Sequence, residues 1–370
     1  MFDACIIGTG GIVGCAIARE LALRHLLVAG VEKHDTACRE TSGLNSRVVH
    51  SGFHETAGTL KAELARQGSQ LMIRYAEERR IQLLKTGMLI AVPHGGIRAG
   101  LWKETGALWN LWRQGRRQNI PFQFIFTPAG IRKVAPIQAR GGIFIPSVCV
   151  IDLESLAQSI TRDAINAGAH LVYGSEVMGI RIDGSNYVVE TSKGEIRSKT
   201  LINSAGLRAH EISKMAKGPD YEVEFLRGDY YELAGGIEKW NVRTLVYPAM
   251  PPRSRSKGIH FGPRTDGRLY IGPSATPASE QTPKQVFLDA ARKFIPEVGE
   301  NDLEWAYAGV RPKCVARNGH ADFTIRLDRA TPPLINLIGI DSPGLSASMA
   351  IARHVSEMIT LFPQLPRFVC

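Results

Sequence analysis

The sequence predicts an α/β protein of two intertwined domains, in which an antiparallel sheet is inserted into a domain of alternating strands and helices. The first 32 residues alternate an apolar strand, a glycine turn, an apolar helix and a second strand. Residues 221–272 hold short apolar runs separated by turn residues, which is typical of antiparallel strands. The chain then returns to an apolar strand at 334–338 and a final helix at about 344–361. We therefore assign residues 1–82, 142–218 and 305–370 to the first domain, and 83–141 and 219–304 to the inserted one.

Length and charge limit the class of protein. A chain of 370 residues is too long for one compact core and suits two domains. The formal net charge of +10 fits either an ordinary basic protein or a positive field that attracts anionic substrates and cofactor phosphates. The basic residues are scattered, and we expect no stretch in which they interleave with exposed aromatic side chains. Nucleic acid is therefore not an expected partner.

The cysteines and the hydropathy indicate the compartment. None of the six cysteines forms a C-x-x-C pair, and no cysteine–histidine cluster has zinc spacing, so no metal site is expected. Cys5 and Cys15 lie in apolar runs and are expected in the core, which favours a reducing compartment. The N-terminus MFDACIIG lacks a signal-peptide pattern, and no run of about 18 apolar residues occurs. We expect a cytoplasmic protein.

Periodicity predicts two helices between the opening unit and the middle of the chain. Residues 58–80 place their apolar side chains on one helical face. Residues 101–117 form the second predicted helix, whose Trp102, Trp109 and Trp112 are expected to serve in packing rather than to face a ligand.

Capping and alternation predict the elements that follow. Asp152 is expected to cap a helix over 153–166. Strands are predicted at 87–92, 171–173, 176–182, 187–190 and 200–203.

The turn after the first strand, IIGTGGIVG, has the composition of a dinucleotide site. Glycines let the backbone approach a pyrophosphate, and the N-terminus of the next helix favours its charge. The spacing differs by one residue from G-x-G-x-x-G. Glu32 ends the next strand 18 residues after Gly14, where a carboxylate can bind both ribose hydroxyls and would repel a 2′-phosphate. The predicted contacts, which do not by themselves separate NAD from FAD, are Gly8, Gly10, Gly11, Ile12, Val13, Gly14, Glu32 and Lys33.

Several further segments carry a family resemblance. They are TSGLNSRVVHSGF, GTLKAELARQG, LINSAGL, RGDYYEL, LVYPAMPP, GIHFGPRTDGRLYIGP, AGVRPK and GIDSPGLSASMAIA, and they span nearly the whole chain. In these segments the sequence resembles the D-amino-acid oxidase-like FAD superfamily, and within it the L-2-hydroxyglutarate dehydrogenases, with glycerol-3-phosphate dehydrogenases as cousins. The resemblance implies a Rossmann-like FAD-binding domain of the glutathione-reductase type, an inserted antiparallel substrate-binding domain, and non-covalent FAD.

The resemblance also implies the remaining cofactor contacts. Around the FAD phosphates and the approach to the flavin they are Thr41, Ser42, Asn45 and Ser46. Val177 is expected beside the adenine, and Ala205 and Gly206 are expected to pass close to FAD. Gly344, Leu345 and Ser346 are expected to open a helix that faces the pyrimidine edge of the flavin. A helix N-terminus carries partial positive charge, which would stabilise negative charge near N1 of reduced flavin.

Oxidation of a hydroxy acid requires a carboxylate clamp and a proton acceptor. Arg311 in AGVRPK is the expected clamp, because a guanidinium meets a carboxylate with two hydrogen bonds and the resemblance implies a substrate-binding arginine here. Tyr247 could add a hydroxyl to the clamp. Lys61 either attracts an anion or is a solvated lysine. Three residues of RGDYYEL that could cover the site are Arg227, Tyr230 and Tyr231.

Histidine is the expected base near neutral pH. The chain has ten histidines, of which His50 lies beside the expected flavin contacts and His260 lies on a strand of the inserted domain. The sequence does not choose between these two. Those in unremarkable surroundings are His25, His34, His94, His170, His210, His320 and His354.

These features together predict an FAD-dependent enzyme that oxidises a small 2-hydroxy acid such as L-2-hydroxyglutarate, with a quinone or oxygen as electron acceptor. Three alternatives stay open: an amine or amino-acid oxidase of the D-amino-acid or sarcosine type, a glycerol-3-phosphate dehydrogenase-like enzyme, and an FAD-bearing subunit without activity of its own. The chain is shorter than typical hydroxyglutarate dehydrogenases between GPSATPA and AGVRPK, so membrane contact is expected to be at most peripheral.

Overall fold

The elements of the fold are taken from a computed structural model that describes residues 1–93, 109, 111–113, 115–250, 256–315 and 322–360. The helices are α1 (Ile12–Leu23), α2 (Leu60–Glu78), α3 (Pro128–Val134), α4 (Leu153–Asn166), α5 (Ala209–Met215), α6 (Gly236–Trp240), α7 (Lys284–Arg292) and α8 (Gly344–Thr360). Residues 109, 111–113 and 115–118 are also helical. Short 3-10 turns lie at Gly206–Arg208 and Glu300–Asp302.

The strands are numbered in chain order. The first ten are β1 (Phe2–Ile7), β2 (Val28–Val31), β3 (Val48–Val49), β4 (Leu83–Leu84), β5 (Met88–Pro93), β6 (Gln123–Ile125), β7 (Ala139–Ile145), β8 (Cys149–Ile151), β9 (His170–Val172) and β10 (Val177–Asp183). The others are β11 (Asn186–Thr191), β12 (Gly194–Asn203), β13 (Val223–Leu233), β14 (Leu245–Pro248), β15 (His260–Pro263), β16 (Leu269–Gly272), β17 (Thr276–Pro277), β18 (Leu303–Cys314), β19 (Thr324–Ala330) and β20 (Pro333–Ile338).

The first sheet has eight strands and is parallel at its centre. β1 lies between β12 and β2, with Ile6 opposite Ile202 on one side and Gly30 on the other. β9 and β20 extend the parallel arrangement, while β10, β11 and β19 add antiparallel strands. Because the carboxyl ends of parallel strands meet at one edge, the turn after β1 and the end of β2 lie side by side.

Helices pack on this sheet, and apolar side chains of the helices and strands form the core between them. α8 packs against α1 and α2, and α1 packs against α4. Ile6, Ile17, Ile335 and Val355 come from both ends of the chain and are fully buried in one cluster. Burial of each such side chain stabilises the fold by about 1.5–3 kcal/mol. The two ends of the chain thus form a single unit, as the sequence predicts.

The second sheet has nine strands in the order β17-β13-β16-β15-β14-β5-β7-β6, with β18 paired to β13. All its pairs are antiparallel except β14 with β5. The predicted antiparallel sheet is therefore confirmed. Two predicted domain boundaries, at 142 and 305, fall inside β7 and β18 of this sheet. By strand pairing, both strands belong with the inserted domain, and the division into domains stays a proposal.

A third, three-stranded sheet joins the two halves, with β8 between β3 and β4. The helix predicted over 58–80 forms as α2, where the Thr59 side chain accepts a hydrogen bond from the backbone N–H of Ala62 at 3.2 Å. Asp152 caps α4 as predicted, because its carboxylate accepts from the backbone N–H of Ser155 at 3.2 Å. Cys5 and Cys15 are buried, as expected.

Some aromatic side chains lie at the surface. Trp109 is 60% exposed and stacks on Trp112, so its packing is at the surface and not in the core. Arg113, Arg116 and Phe126 are exposed in the same part of the sequence. Residues of the sequence analysis that lie outside the described ones are Trp102, His94, His320 and part of the predicted helix 101–117.

None of the helices in the described ranges has the length and apolar character needed to span a bilayer. The same residues contain no group of three or more histidine, cysteine, aspartate or glutamate side chains that could hold a metal ion.

Candidate active site

Two adjoining cavities lie along the first sheet and reach the second one. With the solvent at their mouths they enclose about 760 Å³ and about 2310 Å³. Both are lined by Gly11, Thr41, Ser42, Ser204 and Gly206, so they form one elongated cleft. Its narrow part begins at the carboxyl edge of the parallel strands, where nucleotides bind in this class of sheet.

The glycine turn is shaped by contacts that only glycine permits. Gly8 has φ +93°, and a Cβ there would lie 2.6 Å from the carbonyl oxygen of Ser204. A Cβ on Gly14 would lie 2.2 Å from the carbonyl oxygen of Gly8, so Gly14 allows α1 to approach the strand. The extra residue in the motif lies in the turn, because α1 begins only at Ile12.

The N-terminus of α1 is open to the narrow cavity. Gly11 at the N-cap has no side chain, and a Cβ there would meet only the Gly8 carbonyl at 3.5 Å and the Ser42 hydroxyl at 3.7 Å. The backbone N–H of Ile12 donates to the Ser42 hydroxyl at 3.1 Å. Free backbone N–H groups and the helix dipole suit a pyrophosphate at this position.

Glu32 is buried at the end of β2 and lines the narrow cavity. Its carboxylate accepts from the backbone N–H of Gly10 at 2.9 Å and of His34 at 3.0 Å. Each oxygen keeps a second lone pair for a ribose hydroxyl. Lys33 forms an ion pair with Glu40 at 2.6 Å. The predicted residues Lys33, Val177, Ala205 and Gly206 line the same cavity.

The wide cavity contains the predicted flavin contacts. It is lined by Ile12, Val13, Thr41, Ser42, Asn45, Ser46, Gly344 and Leu345. Asn45 holds its loop in place by donating to the Ser42 carbonyl at 2.6 Å. The N-terminus of α8 opens on this cavity through Gly344 and Leu345. The donor set and the helix ends thus fit an FAD molecule along the cleft.

Gly14 and Ser346 lie behind the lining of the cleft rather than in it. Gly14 is packed against the strand, as described above. The Ser346 hydroxyl accepts from the backbone N–H of His50 at 2.8 Å and donates to the Val48 carbonyl at 3.3 Å. Ser346 therefore fixes the loop that carries His50.

Four aromatic side chains form a cluster on the wall of the wide cavity: His50, His54, Tyr247 and His260. The Tyr247 ring stacks on His260 with centroids 3.8 Å apart, and lies 5.5 Å from His54 and 6.2 Å from His50. The pairing of β14 with β15 places Tyr247 and His260 together. The loop after β3 contributes the other two rings.

Burial keeps these groups uncharged near neutral pH. Desolvation lowers the pKa of His50 and of His54 well below 6.5, and the positive charge of Lys257 adds to the effect. Desolvation lowers the pKa of His260 to about 3, although its hydrogen bond to the Gly258 carbonyl opposes this. Burial raises the pKa of the Tyr247 hydroxyl well above 10. The cluster therefore offers neutral imidazoles, which can accept a proton, beside a protonated phenol.

Several polar atoms of this wall are enclosed without a hydrogen-bond partner among the described residues. They are His54 Nδ1, Tyr247 Oη, His260 Nε2 and Arg311 Nε. An unpaired buried polar group costs about 1–3 kcal/mol. Their concentration around one cavity indicates that a polar ligand completes the site.

Arg311 lies on β18 and lines the wide cavity with Gly228 and Tyr230. Its Nη2 donates to the Ser274 carbonyl at 2.7 Å, which fixes the guanidinium. A Cβ on Gly228 would lie 3.4 Å from Nη2, so glycine leaves this side of the guanidinium open.

Two residues expected to cover the site do not line it. Arg227 pairs with the buried Asp229 at 2.8 Å, and Tyr231 packs on Phe287 with ring centroids 4.7 Å apart. Of the three residues proposed from RGDYYEL, only Tyr230 lines the cavity. Alternation along β13 explains this, since neighbouring residues face opposite sides of the sheet.

Three lysines line the wide cavity, Lys61, Lys257 and Lys313, and the first two lie beside a carboxylate. Lys61 pairs with Asp341 at 2.5 Å and is buried, so of the two alternatives left open for it, the solvated lysine is wrong. Lys257 pairs with Glu55 at 2.7 Å.

His54 and Lys257 were not singled out from the sequence. Their only local signals are short spacings, since His54 follows His50 by four residues and Lys257 precedes His260 by three.

Comparison with known proteins identifies relatives along the whole chain. The model of the family described as FAD dependent oxidoreductase (DAO) matches residues 3–358. The mitochondrial L-2-hydroxyglutarate dehydrogenase of Homo sapiens is 29% identical over 420 residues, covering 97% of this chain and 88% of that protein. Glycerol 3-phosphate dehydrogenase of Caloramator mitchellensis is 27% identical over 369 residues, covering 97% and 74%. The dithionite-reduced L-alpha-glycerophosphate oxidase of Mycoplasma pneumoniae, solved with FAD bound, has a TM-score of 0.86 at 26% identity, covering 97% and 94%.

Proposed function

This chain belongs to the FAD dependent oxidoreductase family, and we propose that it oxidises a small 2-hydroxy acid of the L-2-hydroxyglutarate type to the 2-oxo acid. The proposal rests on one observation: the wall of the wide cavity places a fixed arginine, neutral imidazoles and a protonated phenol together. An arginine beside neutral bases suits a substrate that has a carboxylate next to a hydroxyl.

Arg311 holds the substrate carboxylate in this proposal. Its Nη2 donates one of its two protons to the Ser274 carbonyl, which leaves the second Nη2 proton, together with the Nε or the Nη1 donor beside it, for the substrate. The bonds are charge-assisted and fix the plane of the carboxylate. Tyr247 can add one neutral hydrogen bond, because burial keeps its hydroxyl protonated. These contacts orient the hydroxyl-bearing carbon in the cavity.

We assign the base to His50 and a positioning role to His260. His260 Nδ1 lies 3.2 Å from the Gly258 carbonyl, and a carbonyl only accepts, so Nδ1 carries the proton. The His260 ring stacks on the Tyr247 ring, which fixes its orientation. His50 lines the cavity, and the Ser346 hydroxyl anchors its backbone. It can therefore take the hydroxyl proton.

FAD, when bound along the cleft, supplies the acceptor for the hydrogen and electron pair that leave the substrate carbon. The residues of this chain that would hold it are Gly11, Glu32, Ser42, Gly344 and Leu345. The open ends of α1 and α8 would face its negatively charged parts. The second substrate that restores the cofactor is a quinone or oxygen.

Lys257 extends the proposal to dianionic acids. It lies on the same cavity as Arg311, and its charge acts on all three clustered histidines. A second cation can bind the distal carboxylate of a five-carbon acid, and it fits a phosphate equally well. Glycerol 3-phosphate is therefore the second candidate substrate. An amino-acid substrate is disfavoured, because its ammonium group would lie close to these cations.

The test is anaerobic mixing of the FAD-loaded protein with a panel of substrates while the visible flavin absorbance is followed. L-2-Hydroxyglutarate is expected to bleach the flavin at the lowest concentration, with D-2-hydroxyglutarate, L-lactate, glycerol 3-phosphate, glycine and D-alanine as comparisons. Bleaching by the amino acids alone would overturn the proposal. Bleaching by glycerol 3-phosphate alone would indicate that the substrate carries a phosphate in place of the carboxylate.

A further inference from the structure

An edge of the second sheet exposes a ladder of aromatic side chains. β6 ends the strand order of that sheet, and alternation along the chain places Phe122, Phe124 and Phe126 on one face. Neighbouring ring centroids along the ladder are 5.7 Å and 5.4 Å apart. Phe126 is 81% exposed and Phe124 is 38% exposed. Ile125 between them packs into the core instead.

A helical segment lies directly beside the ladder. Gly115 approaches it so closely that a Cβ would be 2.3 Å from the Phe53 ring and 3.1 Å from the Phe122 ring. The same segment carries Trp109 and Trp112, whose rings stack 4.4 Å apart. We call the five residues Trp109, Trp112, Phe122, Phe124 and Phe126 the aromatic edge.

The sequence around the aromatic edge is strongly basic. Residues 105–151 contain no aspartate or glutamate but six arginine or lysine residues. Arg116 and Arg117 on the helical segment, and Lys133 at the end of α3, are exposed. None of these three takes part in an ion pair with any residue that the structure describes. The surface thus combines unneutralised positive charge with large apolar rings.

We propose that the aromatic edge docks the protein onto an anionic lipid bilayer. Aromatic rings partition into the interfacial layer of a membrane, and adjacent basic side chains bind anionic headgroups. A single-stranded nucleic acid would need open ring faces for its bases. Phe124 and Phe126 already stack on each other, as do Trp109 and Trp112, which favours a lipid surface.

Docking would bring the wide cavity close to the bilayer. Leu111, on the same helical segment as Trp109, lines that cavity. Gln118 on this segment donates to the Glu55 carbonyl at 2.9 Å, beside the Lys257 ion pair. The segment that carries two of the five residues of the aromatic edge is therefore also part of the cavity wall.

Co-sedimentation of the FAD-loaded protein with vesicles tests the proposal. Vesicles of phosphatidylcholine with phosphatidylglycerol are compared with phosphatidylcholine alone, at low salt and at about 0.5 M NaCl, where charges are screened within roughly 4 Å. Binding is expected only to the anionic vesicles and is expected to fall at high salt. Arg116→Gln with Arg117→Gln should weaken binding about 25-fold, taking roughly five-fold per basic residue. Phe124→Ala with Phe126→Ala should weaken it by about ten-fold or more.

Matched variants separate a surface effect from misfolding. Lys284→Gln with Lys293→Gln removes the same charge from α7 and the residue after it, and Trp305→Ala removes a 52% exposed ring from β18, at the other end of the sheet. Both are expected to bind vesicles like the wild type, and all variants should keep the bound-flavin spectrum. Equal binding to both vesicle types, no binding to either, or equal losses in the control variants would overturn the proposal. Tight binding of single-stranded DNA without vesicle binding would overturn it in favour of nucleic acid.

Discussion

Replacement of Arg311 probes the substrate clamp. Arg311→Met removes the charge and all donors, whereas Arg311→Lys keeps the charge but offers a single donor point in place of the planar fork. The guanidinium is fixed by the 2.7 Å hydrogen bond to the Ser274 carbonyl, and lysine cannot keep this bond and bind a carboxylate with two parallel bonds at once. The two variants should therefore differ from each other as well as from the wild type.

The magnitude follows from the number of bonds lost. A hydrogen bond to a charged group contributes about 1.5–3 kcal/mol. Loss of the two bonds available to the substrate in Arg311→Met therefore corresponds to about 3–6 kcal/mol, or roughly 10²- to 10⁴-fold in kcat/KM. Arg311→Lys loses about one of them and should fall roughly 10- to 100-fold.

The assay is anaerobic stopped-flow reduction of the bound flavin at varied substrate concentration. The Kd for FAD, measured by calorimetry on the apoprotein, should change little, because Arg311 does not line the narrow cavity that holds Glu32 and the glycine turn. Arg326→Met, at a surface site on β19, is the matched control. If Arg311→Met reacts within about three-fold of the wild type, the substrate anion is held elsewhere and the clamp assignment fails.

Three further predictions concern buried charge, the turn and the second cation. The pKa of His260 falls from 6.5 when solvated to about 3 in the fold, so between these pH values only the unfolded chain binds the proton. The free energy of unfolding therefore decreases as the pH falls from 6.5 toward 3, by up to about 1.4 kcal/mol per pH unit. In urea titrations, the free energy of unfolding should decrease less between about pH 7 and about pH 5 for His260→Gln than for the wild type. Equal decreases would contradict the burial of a neutral His260. Gly14→Ala places a Cβ 2.2 Å from the Gly8 carbonyl oxygen and should abolish FAD binding. Gly11→Ala places its Cβ no closer than 3.5 Å to any atom beyond its two chain neighbours, so this variant should fold normally and bind FAD, but more weakly than the wild type. Calorimetry with FAD measures both, and equal FAD affinities of the two variants would refute the described turn. Lys257→Met should raise the KM for L-2-hydroxyglutarate about ten-fold or more and the KM for L-lactate little. Equal increases for both substrates would show that Lys257 does not bind the distal carboxylate.

The local parts of the site could be predicted because adjacent residues determine them. The turn at Gly8 and Gly14 and the carboxylate of Glu32 depend on one strand–turn–helix–strand unit, so composition and spacing suffice. The cap at Asp152 is equally local. Sequence reasoning placed all of these correctly in the structure.

The ring cluster could not be predicted in full because it depends on strand pairing between distant segments. Tyr247 and His260 meet through β14 and β15, and His54 joins them from a loop some two hundred residues earlier in the chain. Periodicity gives no register for such contacts. Ser346 shows a second limit, since the helix was placed correctly but this side chain turns toward Val48 rather than into the cleft.

The most direct test of the whole account is a crystal structure of the FAD-loaded protein soaked with 2-oxoglutarate, the product of the proposed reaction. A carboxylate of the product is expected within roughly 3 Å of the Arg311 guanidinium, with the 2-oxo oxygen turned toward His50. A product bound away from Arg311, or FAD bound outside the cleft between Glu32 and Leu345, would contradict it.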